Sequence, residues 1–462
     1  MSHARRLDPS ILKEYDIRGV IDQNLTLDDA RAVGRAFGTR VAESGGTSVC
    51  LGWDGRTASP DFADAVAEGL TACGLEVRRI GRGPTPMLYY AVWTQNAGGG
   101  LMVTASHNPP EYNGFKMMLG TKSFYGEDIQ RLGRIAAAGE FAEGQGRVVD
   151  TPVFDDYVNR LMRDYDGERE IACVWDPGNG AAGEVVTALC GRLPGRHIVI
   201  NADVDGTFPN HHPDPTVPEN LKQLQETVTK EGCEMGVAFD GDGDRIGVVD
   251  ARGRILWGDQ LMVLLARDLL KERPGATIIA DVKASRVLFD AIGEAGGEPL
   301  MWRTGHSLIK SKMAELNAPL AGEMSGHLFF ADRYYGFDDA LYAAVRLTGL
   351  VSRAGTSLDQ LFDGIAGTVA TPEMRFPVPS ERKFKVAGEI EERLKDDPDA
   401  EVNTIDGVRV STPDGWWLLR ASNTQDVLVA RCEAQSQDGL ERLKDSLRKN
   451  LEESGVTPPD MG

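Results

Sequence analysis

Apolar and polar residues along this chain change period in a regular order. Short apolar runs predict strands over 47–53, 76–80 and 101–103, and apolar residues every three or four positions predict helices over 62–73 and 87–93 between them. The alternation returns as strand 171–175, helix 183–190, strand 197–200, helix 219–230 and strand 235–239. It returns again as helix 260–270, strand 277–281, helix 285–295, strand 299–302 and helix 307–316. Strands separated by helices of this length predict parallel βαβ units. From about residue 371 the texture changes to a helix over 383–394, strands over 408–410, 416–420 and 427–430, and a closing helix with Leu440, Leu443, Leu447 and Leu451 on one face. The expected fold class is α/β: three similar mixed or parallel βαβ-type domains around a central cleft, plus a C-terminal α+β domain. The segments are 1–150, 151–254, 255–368 and 369–462, with a hinge expected near 369.

Ligands of such sheets bind beyond the carboxyl ends of the strands. Three polar loops fall there: 104–109, 240–245 and 303–306, one expected from each of the first three domains. The second holds Asp240, Asp242 and Asp244 with glycines between them. Like charges this close call for a hard divalent cation, which takes oxygen ligands, and the glycines let the backbone turn all three toward one point. A calcium EF-hand would need a bidentate Glu at its twelfth position, where this chain has Ala251, and the flanks 235–239 and 246–249 read as strands. A solvated acidic turn is the bland alternative.

Ser106 follows an apolar strand and precedes His107, Asn108 and two prolines that stiffen the loop's exit. A serine hydroxyl needs activation by a base or a metal. The G-x-S-x-G elbow of hydrolases is missing, and a helix cap or turn would explain Ser106 alone. Beside an acidic metal loop, Ser106 instead points to phosphoryl transfer, where cations do most of the work. Glu323, Ser325 and His327 offer a carboxylate, a hydroxyl and an imidazole suited to sugar hydroxyls. Arg420, Ser422, Asn423 and Thr424 offer donors suited to a phosphate monoester, or a plain Asn/Ser turn. For Arg18, Lys116, Lys283 and His306, taken singly, a surface or capping role is the better explanation. A second hypothesis comes from Gly178-Asn-Gly180-Ala-Ala-Gly183, which follows a strand, opens a helix and precedes Asp203: the pattern of a nicotinamide-dependent dehydrogenase.

Composition narrows the field. The 462 residues include 50 basic and 70 acidic side chains, a net charge of −20, which argues against nucleic acid or an anionic membrane as partner. No apolar run approaches a membrane span and the first residues lack a signal-peptide core, so a cytoplasmic protein is expected. Six scattered cysteines, without a C-x-x-C pair, read as small apolar residues.

Six motifs in order carry a resemblance over essentially the whole chain. They are Tyr15-Asp-Ile-Arg18-Gly, Thr104-Ala-Ser-His-Asn-Pro-Pro-Glu-Tyr-Asn-Gly-Phe-Lys116, Asp240-Gly-Asp-Gly-Asp-Arg245, Thr304-Gly-His306, Gly322-Glu-Met-Ser-Gly-His327 and Arg420-Ala-Ser-Asn-Thr424. The chain resembles the α-D-phosphohexomutase superfamily, and within it the bacterial phosphomannomutase/phosphoglucomutase branch. The resemblance implies a phosphoserine at Ser106 and Mg²⁺ held by its phosphate with Asp240, Asp242 and Asp244. It implies exchange of hexose 1-phosphate and 6-phosphate through a hexose 1,6-bisphosphate, which also serves as activator. Arg18, Lys116 and His306 match positions near the reacting hydroxyl. Tyr15, His107, Arg245, Lys283, Thr304 and Gly305 match substrate contacts; Glu323, Ser325 and His327 would grip the sugar, and Arg420, Ser422, Asn423 and Thr424 the idle phosphate. Met324, and glycine rather than alanine within the aspartate motif, resemble the mannose/glucose branch over the glucosamine branch. Gln425-Asp426 departs from the usual Thr-Pro and brings a negative charge to the phosphate loop. The implied partner is a phosphosugar, bound by a monomer or small homo-oligomer.

Overall fold

A computed structural model describes residues 4–395, 398, 400–422 and 426–461. Four sheets follow one another along the chain. The first runs Ile17–Val20, Tyr112–Leu119, Gly99–Val103, Ser48–Trp53, Glu76–Arg82, Arg147–Asp150 from edge to edge, with Lys122–Ser123 paired to Tyr112–Leu119. The second runs Ile255–Leu256, Ile246–Asp250, Met235–Phe239, Ile171–Asp176, Gly195–Val199, and the third Glu298–Trp302, Thr277–Asp281, Leu320–Gly322, Leu328–Phe330.

Each of these three sheets is mixed rather than all-parallel, for the same reason. A parallel strand returns through a short loop, and a short loop permits only an antiparallel partner. Gly99–Val103 returns as Tyr112–Leu119, Met235–Phe239 as Ile246–Asp250, and Leu320–Gly322 as Leu328–Phe330. The connections are residues 104–111, 240–245 and 323–327. This corrects the expectation that 303–306 is the third domain's equivalent loop. That segment follows Glu298–Trp302, an edge strand, and leads into the helix His306–Leu316.

The helices Leu27–Glu43 and Ala340–Arg353 escaped the apolar pattern. The first starts from a capping box in which Thr26 Oγ1 accepts from Asp29 N and Asp29 Oδ2 accepts from Thr26 N. The second is buried along nearly its whole length, so it carries no polar face to reveal a period.

The fourth sheet is antiparallel: Val369–Ala370, Val427–Ala434, Gly415–Ala421, Val408–Thr412 and Glu401–Asn403, with Met374–Pro377 also on Val427–Ala434. Helices Ser380–Leu394 and Gln437–Glu453 cover the face that carries Trp417 and Leu419. Trp416 and Leu418, pointing the other way, pack with Val282 of the third domain. Arg409 lies over the Trp416 ring at 3.7 Å and donates to the carbonyls of Val282 and Ala284, so the fourth domain rests on the turn that bears Lys283. All six cysteines are unpaired and five are buried. Among the described residues no helix is long and apolar enough to cross a membrane.

Candidate active site

The three equivalent hairpin loops meet. Ser106, buried at φ 51°, donates from Oγ to Asp240 Oδ2 at 2.7 Å and lies 3.0 Å from His107 Nδ1. Lys116, on the strand that leaves the Ser106 loop, donates to Asp242 Oδ2 at 2.7 Å and also to Asp244 Oδ2. Thr85, at the start of the helix Thr85–Gln95, adds its hydroxyl to Asp242 Oδ2 at 2.5 Å and its backbone N–H to the Asp242 carbonyl. The aspartate loop is closed by Asp240 Oδ1, which accepts from the backbone of Asp244 and Arg245.

Asp240, Asp242 and Asp244 are wholly buried, and one oxygen from each lies within 4.8 Å of the others. Two carboxylate oxygens, Asp242 Oδ1 and Asp244 Oδ1, are buried without a hydrogen-bond partner. An all-oxygen donor set with unspent lone pairs fits a hard divalent cation. Burial and the other two aspartates hold the Asp240 pKa well above the usual carboxylate range. Burial also acts to raise that of Asp242, but Lys116 and Thr85 outweigh it and hold this group below its usual range. Burial works against charge on Lys116, yet the three carboxylates keep its pKa above the ordinary lysine value.

The third domain closes the cleft from the opposite side. Arg245 Nε donates to His327 Nε2 at 2.9 Å, which leaves the ring proton on Nδ1, 3.1 Å from Asp338 Oδ2. His306 stacks on His327 with ring centroids 5.4 Å apart. Burial and Lys310 hold the His306 pKa well below the ordinary value, against the pull of Asp338. Burial with Arg245, Arg18 and Lys116 does the same to His107. Glu323 accepts from Gly305 N at 2.8 Å and Ser325 Oγ at 2.9 Å, and Asp281 accepts from Thr304 Oγ1 and Met324 N, so the loops 303–306 and 323–327 are tied together. Tyr15 of the first domain donates to the Thr304 carbonyl at 3.0 Å, and Arg18 reaches Asn108 Oδ1 at 2.5 Å and Asp16 at 2.7 Å.

The fourth domain's residues stand one step away. Arg420 pairs with Asp406 at 3.0 Å, and Asp406 Oδ2 accepts from Thr304 N, linking this loop to the third domain. Lys283 pairs with Glu373 at 3.0 Å. Ser422 is buried, and its carbonyl accepts from Lys383 Nζ at 3.0 Å. Lys383 also lies 3.3 Å from Asp426, so the unusual negative charge in this loop has a cation beside it. Asn423 and Thr424 lie outside the described residues. Thr85, Lys310, Asp338, Lys383 and Asp406 belong to the same surroundings and were not singled out from the sequence. Each acts through a partner distant in the chain, with no motif of its own.

Five of the six amides in the glycine turn at 178–183 are already engaged within the protein. Gly178 N donates to Asp176, Asn179 N to the Asn201 carbonyl, Gly180 N to Pro177, Ala181 N to Gly241 and Gly183 N to Gly180. A Cβ at Gly183 would fall 2.0 Å from the Ala202 carbonyl, so the glycine serves close backbone packing. This geometry counts against the dehydrogenase hypothesis, because most of the N–H groups a pyrophosphate would need there are spent within the protein.

Comparison with known proteins agrees. Residues 9–143, 155–253 and 257–368 match the phosphoglucomutase/phosphomannomutase alpha/beta/alpha domains I, II and III, and 373–450 matches the C-terminal domain of the same family. The chain is 43% identical to a phosphomannomutase/phosphoglucomutase of Pseudomonas aeruginosa, over 97% of this chain and 96% of that one. It is 42% identical to a phosphoglucomutase of Neisseria meningitidis, over 96% of each. A crystal structure of a phosphoglucomutase/phosphomannomutase family protein from Burkholderia thailandensis superposes with a TM-score of 0.93 at 43% identity, covering 99% of both chains. With all four domains present in order and nearly full-length identity above 40%, the chain belongs to the phosphoglucomutase/phosphomannomutase family.

Proposed function

We propose that the protein interconverts hexose 1-phosphates and hexose 6-phosphates, of mannose or glucose, through phosphorylated Ser106 and a hexose 1,6-bisphosphate. One observation carries this reading: Ser106 Oγ is 2.7 Å from Asp240 Oδ2 in the loop that also joins the sugar-loop residue His327 through Arg245. In the first half, a sugar hydroxyl oxygen bonds to phosphorus as the bond from phosphorus to Ser106 Oγ breaks, and the hydroxyl proton leaves to a base. His306, held neutral, is a proton acceptor, while Arg18 and Lys116 oppose the negative charge of the transferring group. In the second half, Ser106 Oγ takes the other phosphoryl group and the reverse proton transfer follows. Asp240, Asp242 and Asp244, with the phosphate on Ser106, would hold Mg²⁺, which when bound offsets charge on the phosphoryl oxygens.

One donor serine serves both ends of the sugar, so the bisphosphate must turn within the cleft. Glu323, Ser325 and His327 grip the sugar, with Tyr15, His107, Arg245, Lys283, Thr304 and Gly305 around it. Arg420, Ser422, Asn423 and Thr424 hold the idle phosphate, and added bisphosphate acts as activator by restoring phosphoserine. The same reading places the enzyme in the cytoplasm, in keeping with its unpaired cysteines, as a monomer or small homo-oligomer.

The test is turnover of mannose, glucose and glucosamine 1-phosphates with Mg²⁺ and a trace of hexose 1,6-bisphosphate, beside Ser106→Ala. Turnover of mannose and glucose substrates, lost in a folded Ser106→Ala, is expected. An active Ser106→Ala would refute the mechanism, and dominant glucosamine turnover would overturn the substrate assignment.

A further inference from the structure

Arg56 stands in the turn after Ser48–Trp53, and its side chain is only 1% exposed. Its guanidinium meets four backbone carbonyls of one loop. Nη2 donates to those of Ser106 at 2.8 Å and Asn108 at 2.5 Å, and Nη1 to those of Pro109 at 2.6 Å and Tyr112 at 3.2 Å. Asp54 Oδ2 lies 3.2 Å from Nε and balances the charge, while Asp54 Oδ1 accepts from Arg56 N and from Ser59 Oγ. Four carbonyls converging on one point repel as dipoles unless a cation with several donors sits among them. A planar fork of N–H groups meets that demand; a lysine ammonium has too few donors, in the wrong arrangement.

The loop so held is the one that bears Ser106 at φ 51°, in the left-handed region that serine rarely adopts. Local bonds supply little restraint: Ser106 N to Thr104 Oγ1 and Asn108 N to the Ala105 carbonyl. The Ser106 carbonyl accepts from Arg56 Nη2, and a Cβ at Gly241 would approach the same oxygen to 2.3 Å. The second domain also covers Arg56 itself. The Phe208 ring lies 5.3 Å from its guanidinium carbon, and a Cβ at Gly206 would fall 2.5 Å from its Cα. One buried cation thus sets both the shape of the nucleophile loop and the place where the second domain rests on it.

We propose that Arg56 is a positioning residue for phosphoryl transfer: by holding the carbonyls of Ser106, Asn108, Pro109 and Tyr112, it keeps Ser106 Oγ directed at the aspartate loop. The inference rests on Ser106 as phosphoryl carrier. It is tested with Arg56→Lys and Arg56→Ala in the full-length enzyme, by turnover of glucose 1-phosphate per folded molecule and by intact-mass measurement of phosphoserine. A misplaced Ser106 lowers kcat about 100-fold in Arg56→Lys. KM should stay within about threefold, since the residue touches no substrate. Millimolar guanidinium ion should raise kcat of Arg56→Ala in a saturable way and leave Arg56→Lys unchanged. Should Arg56→Ala fail to fold, Arg56→Lys and Asp54→Asn decide, the latter expected to lower kcat with KM kept. A folded Arg56→Lys with kcat within about threefold of wild type would overturn the proposal, as would a loss that appears in KM instead of kcat. A wild type without phosphoserine or turnover, or an active Ser106→Ala, would strike the underlying reading instead and take this one with it.

Discussion

Gly241 sets the spacing of the serine and aspartate loops, on which the proposed transfer depends, and alanine there perturbs that spacing. Its φ lies outside the left-handed region, so the backbone accepts a side chain; only space is lacking. A Cβ would lie 2.3 Å from the Ser106 carbonyl oxygen and 3.2 Å from its carbon. Ordinary contact begins at 3.4 Å, so the loops must part by about 1 Å. The obstacle is backbone, and Arg56 holds the same carbonyl at 2.8 Å, so the serine loop cannot simply yield. Parting by that amount stretches the 2.7 Å hydrogen bond between Ser106 Oγ and Asp240 Oδ2 beyond bonding range. Overpacking of this kind costs about 1–3 kcal/mol of stability. A displacement of about 1 Å at reacting atoms costs about 100-fold in rate. The assay compares kcat, KM and thermal unfolding of wild type and Gly241→Ala, with Gly293→Ala as control. Gly293 is exposed on the helix Arg286–Glu294 and a Cβ there meets nothing within 4 Å. The expected outcome is a folded Gly241→Ala with kcat down about 100-fold and KM little changed, beside an unaffected control. A Gly241→Ala enzyme with wild-type kcat would show that the distance between Ser106 and Asp240 does not govern transfer.

Two further predictions concern charge. Attraction to Lys283 and Arg375 outweighs burial at Glu373 and brings its pKa from 4.5 down to about 2, so its contribution to stability is present above pH 4.5 and lost as pH falls toward 2. Glu373→Gln should cost about 3 kcal/mol at neutral pH, and the gap from wild type should close over that acid range; a gap independent of pH would refute the assignment. Lys116→Met leaves Asp242 and Asp244 buried without their cation, and so should lower the melting temperature in chelator by an amount corresponding to about 3–5 kcal/mol. Added Mg²⁺ should restore more stability to this variant than to wild type, and equal Mg²⁺ responses would refute a shared site.

The sequence was legible where apolar residues form an unbroken run or recur at a fixed spacing, and blurred where polar residues interrupt them or the element is very short. Strands such as 235–239 stand out as continuous apolar runs, buried throughout, and helices such as 183–190 because apolar residues recur at helical spacing. Tyr112–Leu119 did not, because it carries Asn113 and Lys116 into the interior, where their partners lie on other segments. Leu328–Phe330 is three residues long, too short to show any period. The site divides in the same way. Ser106 and the three aspartates could be picked out because several unusual residues crowd one short segment. Arg56 and Thr85 could not: Thr85 reaches Asp242 across 157 positions, and Arg56 offers only an Asp-Gly-Arg turn. Their roles exist only in the folded chain: Thr85 is delivered by the first domain to the second domain's aspartate loop, and Arg56 to a loop of its own domain some fifty residues on.

The net charge of −20 bears on how such a site could let its intermediate turn. The cations around the cleft are already answered by carboxylates of the protein: Lys116 by Asp242 and Asp244, Lys283 by Glu373, Arg420 by Asp406 and Lys310 by Asp338. Leaving a buried cation without a partner is costly, so these pairs keep the folded protein stable before any anion binds. A phosphate arriving beside Arg420 or Lys283 must share its cation with the resident carboxylate, and so is held less tightly than bare cations would hold it. On the proposed reaction that restraint is useful. A bisphosphate gripped fully at either end could not exchange ends, whereas one held by half-neutralised cations can release one phosphate while the sugar loops keep it in the cleft. On that proposal the excess acid is not in conflict with an anionic substrate: part of it sits beside the cations proposed to bind the phosphates and would moderate their grip.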